Sequence, residues 1–162
     1  MFVPSKVFFT KGVGIHQEKL VSFEMALRDA KVSPFNLVTV SSILPPDAKI
    51  VARDEGLSGL HAGEVVFCVM ARDCTNAADE EIAASVGLAA PIGVHHHGYL
   101  SEYHSRGESE ETAGAHAEKL ADIMLKTLMD EKTEMKTSHI AASAKGKDGL
   151  WTTAVALAVF VP

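Results

Sequence analysis

Apolar positions fall in two rhythms along this chain, broken by glycine and proline. Val3 to Thr10 is β-branched and aromatic and reads as a strand closed by Lys11-Gly12. Near Glu18 the spacing turns helical: Leu20, Phe23, Leu27 and Ala30 make an apolar stripe, and Pro34 ends the segment. Asn36 to Ser42 predicts a short strand, halted by Pro45-Pro46. Asp47 to Gly63 has no clear period and carries Gly56, Gly59 and Gly63, so it reads as a loop.

Glu64 to Ala71 predicts a buried strand; Ile82 to Pro91 fits helix or strand, and strand is favoured because Gly87 and Pro91 interrupt a short Ala-rich run. Gly98 to Arg106 alternates as a strand. Glu110 to Glu131 is the longest predicted helix, with Ala113, Ala117, Leu120, Met124 and Leu128 on one face. Ser138 to Ala144 and Leu150 to Val161 close the chain as strands around a turn at Lys145 to Gly149. About seven strands, often consecutive, with two long helices predict an α+β protein. The expected form is a layered αββα-type sandwich of mainly antiparallel strands, one domain over residues 1–162.

Composition narrows the class. With 162 residues, 47% hydrophobic and 22% charged, the chain suits one globular domain with a real core. Net charge is −6 and no Lys/Arg block exists, so no nucleic-acid partner is expected. A mildly acidic protein is compatible with a cationic substrate. The start lacks a signal-peptide core, and Ile82 to Val94 falls short of the roughly 20 residues a bilayer span needs. Cys68 and Cys74 form neither a disulfide framework nor a CxxC pair, so a reducing, cytoplasmic setting is the expectation, with no membrane partner.

One segment carries chemistry. Residues 36–46 read NLVTVSSILPP, a strand that brings Ser41 and Ser42 to a sudden stop. A Ser-Ser pair by itself is most simply a strand end whose hydroxyls satisfy local backbone groups. Its surroundings change that reading. Asn36, Val40, Ser41, Ser42, Ile43, Leu44, Pro45 and Pro46, followed by Ala48, Ile50 and Val51, resemble the pyruvoyl-dependent arginine decarboxylase family. Gly98 to Tyr103 (GYLSEY), with Glu102, resembles that family's second signature, and Glu111 and Ala115 to Leu120 extend the likeness.

The resemblance implies self-cleavage of the Ser41–Ser42 bond. Ser42 Oγ would attack the Ser41 carbonyl carbon, giving an ester and an oxyanion that needs a positioned donor. Asn36, six residues before Ser42, is the family-implied donor. Elimination and hydrolysis would then make a pyruvoyl group from Ser42. Residues 1–41 would become a small subunit and 42–162 a large one. Pro45-Pro46 would hold the junction in a strained turn. The pyruvoyl carbonyl would form a Schiff base with the α-amine of arginine, releasing carbon dioxide and then agmatine. The resemblance also implies a homotrimer, or a dimer of trimers, with the active site between subunits.

Two acids join the site. Glu102 shares a strand face with Leu100, and burial of that face would raise its pKa and make it a proton donor. Alternation alone leaves a solvated edge equally open; the family resemblance favours the catalytic reading. Glu24 stands where the family has an aspartate that receives the guanidinium group, one methylene longer here. That departure leaves another substrate, histidine or ornithine, as an alternative within the same chemistry. A non-cleaving, non-enzymatic homologue is a third reading.

Other features carry less. His95, His96 and His97 match no metal-site spacing, because consecutive strand residues cannot all face one ion, and no metal is expected. A metal-dependent hydrolase built on them is the most distant reading. Cys68 reads as core, Cys74 as a surface thiol, Trp151 as packing, and Asp79, Glu80 and Glu81 as a solvated turn.

Overall fold

Two β-sheets lie face to face, and each carries a helix on its outer side. The computed structural model describes residues 3–130 and 132–162. The first sheet has the order β2-β5-β9-β1-β4, with β1 at Lys6–His16, β2 at Asn36–Thr39, β4 at Lys49–Ile50, β5 at Val65–Thr75 and β9 at Trp151–Val161. The second has the order β3-β7-β6-β8, with β3 at Ile43–Leu44, β6 at Glu81–Pro91, β7 at Gly98–Arg106 and β8 at Met135–Lys145. Helix α1 (Lys19–Asp29) covers the first sheet and α3 (Glu110–Lys126) the second, which is the expected αββα sandwich. Pairing is antiparallel except for β1 with β4 and β2 with β5.

The core between the sheets is aliphatic: Val69, Ala71, Ala154, Ala156 and Ala158 from one side meet Ile82, Ala84, Val86, Leu88 and Leu100 from the other. Each fully buried Leu contributes roughly 1.5–3 kcal/mol. At one end of the sandwich Arg106 of β7 reaches Glu80 (2.9 and 3.0 Å) and Asp73 of β5 (3.5 Å). Glu80 therefore leaves the solvated turn expected of it and joins a strap between the sheets. Among the described residues, no helix is long and apolar enough to cross a membrane.

The helices dock unusually close, and small residues make that approach possible. A Cβ at Gly12 would lie 2.2 Å from the Ala26 carbonyl oxygen, and one at Gly14 would lie 2.1 Å from that of Ser22. The expected stop at Gly12 is therefore a contact point, and β1 runs on to His16. Hydroxyls complete the seam: Thr10 donates to the Ala30 carbonyl (2.6 Å) and Ser22 pairs with Thr153 (2.7 Å). Gly87 and Ser101 repeat the device beneath α3, where Ser101 donates to the Ala117 carbonyl (2.5 Å).

This seam rotates α1 from the expected stripe. Ser22, Ala26, Leu27 and Ala30 are buried, whereas Leu20 is 77% exposed. Two more expectations are corrected. The segment read as loop between Asp47 and Gly63 contains β4, parallel to β1, and a short helix α2 at Arg53–Leu57. The strand expected over Asn36 to Ser42 ends at Thr39, because the chain changes sheets there. The described residues hold nine strands in place of seven. Helix α3 ends at Lys126; the last residue assigned to it from sequence, Glu131, lies outside the described residues.

Gly14→Ala is expected to lower stability by about 1–3 kcal/mol, since its methyl must push the α1 backbone away. Gly59→Ala, where nothing lies within 4 Å of the new Cβ, should be neutral or slightly stabilising. Denaturant unfolding of both variants checks the contrast.

Candidate active site

The serine pair sits where the chain leaves one sheet for the other. Val40 still belongs to the first sheet through its N–H, which donates to the Cys68 carbonyl on β5 (3.0 Å). Ser42 already belongs to the second, because the Leu100 N–H on β7 donates to its carbonyl (2.7 Å). Ile43 then pairs with Tyr99 and Leu44 with Gly98. Between these anchors the Ile43 N–H donates to the Ser41 carbonyl (3.1 Å), closing a three-residue turn around Ser42. Ser41 is exposed and Ser42 half-buried. An apolar cavity of about 480 Å³ opens beside them, lined by Val40, Ser41, Ile43, Pro45, Phe67 and Phe160 among others.

Among the described non-glycine residues, positive φ occurs at Lys31, Asp47 and Asp79, and neither Ser41 nor Ser42 is among them. The left-handed residue is Asp47 (φ 62°), directly after the two prolines.

Glu102 comes to the same place. It lies two residues along β7 from Leu100, a step of about 7 Å, and pairs across the sheet with Val86. Alternation turns it toward the gap between sheets, as Leu100 is turned, while Ser101 and Tyr103 face α3. The carboxyl keeps an exposed surface, yet loss of hydration pushes its pKa above the usual carboxylate range, against the opposing pull of His104. On the α1 side of the first sheet, burial pushes the Cys68 thiol up to about 12, and the Glu102 charge adds to that. Cys68 meets the site through its carbonyl, which holds Val40.

Asn36 and Glu24 stand apart from this cluster in the single chain. Asn36 lies at the opposite end of β2, exposed, and its side-chain amide donates to the Gly63 carbonyl (2.7 Å). Glu24 is half-buried on α1 and accepts from Arg28 one turn on (3.0 Å). The first sheet lies between that helix and the gap that Glu102 faces. The groups that sequence reasoning missed are backbone ones: the Ile43 N–H, in a local turn, and the Leu100 N–H, which the chain's move onto β7 brings to Ser42. The histidine run lies just before β7: His95 Nδ1 meets Asp47 (2.8 Å), and the His97 ring meets Tyr99 edge-on at 5.2 Å. Cys68 is core, as expected, and the Lys19 ammonium lies 4.8 Å over the Trp151 ring.

Fold and site together define a class: an αββα sandwich with a serine pair at the sheet crossover and an acid facing the gap beside it. Residues 6–162 match the family described as pyruvoyl-dependent arginine decarboxylase, and the chain belongs to that family. It is 56% identical, over 98% of its length and 96% of the relative's, to the pyruvoyl-dependent arginine decarboxylase of Methanocella arvoryzae. It is 53% identical to pyruvoyl-dependent arginine decarboxylase 1 of Methanosarcina mazei, over 98% of this chain and 96% of the relative. A probable pyruvoyl-dependent arginine decarboxylase of Chloroherpeton thalassium is 48% identical over 99% of both chains. The chain is accordingly an enzyme, a pyruvoyl-dependent decarboxylase, whose prosthetic group derives from a serine as in its family.

The Glu102 shift predicts a pH dependence of stability. Its folded pKa lies above its unfolded value, so ionisation is costlier in the folded chain. That cost is absent below the unfolded value of about 4.3 and grows as pH rises through the folded value. Glu102→Gln should therefore melt at a higher temperature than the parent at neutral pH, with the gap closing below about pH 4. A pH series of thermal midpoints checks the sign.

Proposed function

We propose that this chain cuts itself between Ser41 and Ser42, converts Ser42 into the pyruvoyl group, and decarboxylates arginine to agmatine and carbon dioxide. The observation that carries this reading is the crossover. The Ser41 carbonyl and Ser42 are held by two backbone hydrogen bonds, beside an acid whose pKa lost hydration raises.

Attack of Ser42 Oγ on the Ser41 carbonyl forms a five-membered ring, and its collapse moves the acyl group from nitrogen to oxygen. Loss of the α-proton and of the Ser41 carboxylate leaves dehydroalanine at 42, and water then releases ammonia. Residues 1–41 remain as the small subunit and 42–162 as the large one. The Leu100 N–H keeps hold of the residue 42 carbonyl throughout, which fixes the orientation of the new N-terminal group. The pyruvoyl carbonyl supplies an electron sink for the pair released with carbon dioxide. Glu102 holds a proton on its carboxyl oxygen and delivers it to the carbon that has lost carbon dioxide.

Arginine is favoured over histidine or ornithine by the names its relatives carry at this identity. A carboxylate such as Glu24 can pair with a guanidinium in bidentate fashion. Because Glu24 and Asn36 lie on outer surfaces, they serve a neighbouring subunit's site, within a homotrimer or a dimer of trimers. Exposed apolar residues beside them support such contacts: Leu20 and Met25 on α1, Val38 and Val65 along the β2 edge. Two free cysteines suit a cytoplasmic location.

Intact-mass spectrometry tests the central step. The 17.3 kDa chain should resolve into two fragments that begin at residues 1 and 42. Ser42→Ala should stay whole, and an uncut parent after long incubation overturns the reading. Carbon dioxide release from arginine should exceed that from histidine and ornithine at least tenfold; equal rates would overturn the substrate assignment.

A second measurement addresses the subunit contact. Asn36→Ala chains should cleave slowly alone and faster when assembled with Ser42→Ala chains, which supply an intact Asn36. No rescue in mixed assemblies would place Asn36 outside the neighbour's site.

A further inference from the structure

Resting on the reading of Glu102 as the group that protonates the product carbon, we propose that His104 returns protons from solvent to Glu102 after each turnover. Leu100, Glu102 and His104 stand two residues apart on β7, so their side chains share one face. The Leu100 N–H holds the Ser42 carbonyl (2.7 Å), so the crossover lies on one side of Glu102 and His104 on the other. The His104 side is open. Among the described residues, β3 pairs with β7 at Gly98 and Tyr99 alone, and His104 is exposed.

The reaction consumes a proton at each turnover. Breaking the bond from the α-carbon of arginine to its carboxylate leaves the electron pair behind, and that pair must form a C–H bond. Glu102 supplies the proton and becomes a carboxylate, so one proton per agmatine has to be drawn from water. A substrate reaching from residue 42 to Glu102 covers the carboxyl on the crossover side, and solvent then approaches along β7 past His104. The His104 imidazolium passes its proton to the Glu102 carboxylate, and the neutral ring takes another from water or buffer. Alternate Cα atoms on a strand lie about 7 Å apart, a step that a carboxyl and an imidazole close directly or through one water.

The other groups around that face are unsuited to the task. Arg106, next in the row, is bonded to Glu80 (2.9 and 3.0 Å) and lies 3.5 Å from Asp73 of β5, and a guanidinium does not give up its proton. On β6, His104 pairs with Ala84, which has no titratable group. Tyr103 turns to the α3 side, where its hydroxyl donates to Glu108 (3.0 Å). The charge of His104 already acts on Glu102: lost hydration raises the Glu102 pKa, and His104 opposes that rise. The imidazole thus stands close enough to act on the carboxyl and open enough to trade protons with water.

His104→Gln tests this, and because the position is exposed the polar replacement keeps the fold. Intact mass should show parent-like cutting between Ser41 and Ser42, since the imidazole acts in turnover alone. In weak buffer, carbon dioxide release by the processed variant should slow about tenfold or more. That is less than the roughly 100-fold typical of losing a general acid, because water still reaches Glu102. Added imidazole should restore most of the parent rate, which a merely structural role would not allow. A second readout is independent of turnover: in the uncut Ser42→Ala chain, ¹³C NMR of labelled glutamate should show Glu102 titrating higher once His104→Gln removes the opposing charge. This readout decides alone should cutting fail. A parent-like rate, a slowed rate that imidazole leaves unchanged, or an unmoved Glu102 titration overturns the inference. Full activity of processed Glu102→Gln overturns instead the reading beneath it.

Discussion

The chain between Val40 and Ile43 belongs to two sheets at once, and the rest of the site follows from that. A residue bonded to Cys68 and one bonded to Leu100 are only two positions apart, so the peptide between them must bridge the sheets. This bridge can be severed without dismantling the fold. Residues before the proposed cut contribute β1, which is laddered to β9 along its full eleven residues, and β2, which pairs with β5. Residues after it are held by β3 on β7. Each new end keeps its own anchor, and only a covalent link at the sandwich edge is lost. Noncovalent pairing of that extent holds two fragments together as one folded unit.

Glu102 depends on the same arrangement. Its strand is fixed at one end by the Ser42 carbonyl on Leu100 and at the other by Arg106 reaching Glu80 and Asp73. Thr75 first, then Arg106, hold the Glu80 carboxyl below the usual range, so that strap stays charged at neutral pH. Partial burial of the carboxyl on this fixed strand raises its pKa although part of the Glu102 surface is exposed.

Much of this was legible in the residues, and the misses share a cause. Alternation gave β7 its bounds, Gly98–Arg106, and placed Glu102 on the face of Leu100. The serine pair, the proline stop and the GYLSEY strand were readable because each is a local signal. Gly12 and the α1 stripe were misread because backbone-to-backbone docking inverts the usual code. Where a helix rests on glycines, small and hydroxyl residues turn inward and Leu20 turns out. The sheet change after Thr39, the short β4 and the bond from Leu100 to Ser42 depend on partners distant in sequence, which no local pattern encodes.

A strained turn and a polarised carbonyl make different demands on the sequence. Neither Ser41 nor Ser42 has a positive φ; the left-handed residue is Asp47, beyond the prolines. Pro45 and Pro46 then have another role, which is to end β3 after two residues. A longer β3 would extend its ladder on β7, and one that began earlier would draw Ser41 into that ladder. The Ser41 carbonyl would then point at a β7 partner and no longer at Ile43. Short pairing on each side leaves this one peptide outside both ladders, free to bond to its own chain. The prolines therefore act through where they stop the sheet, and that stop leaves the Ile43 N–H facing the Ser41 carbonyl.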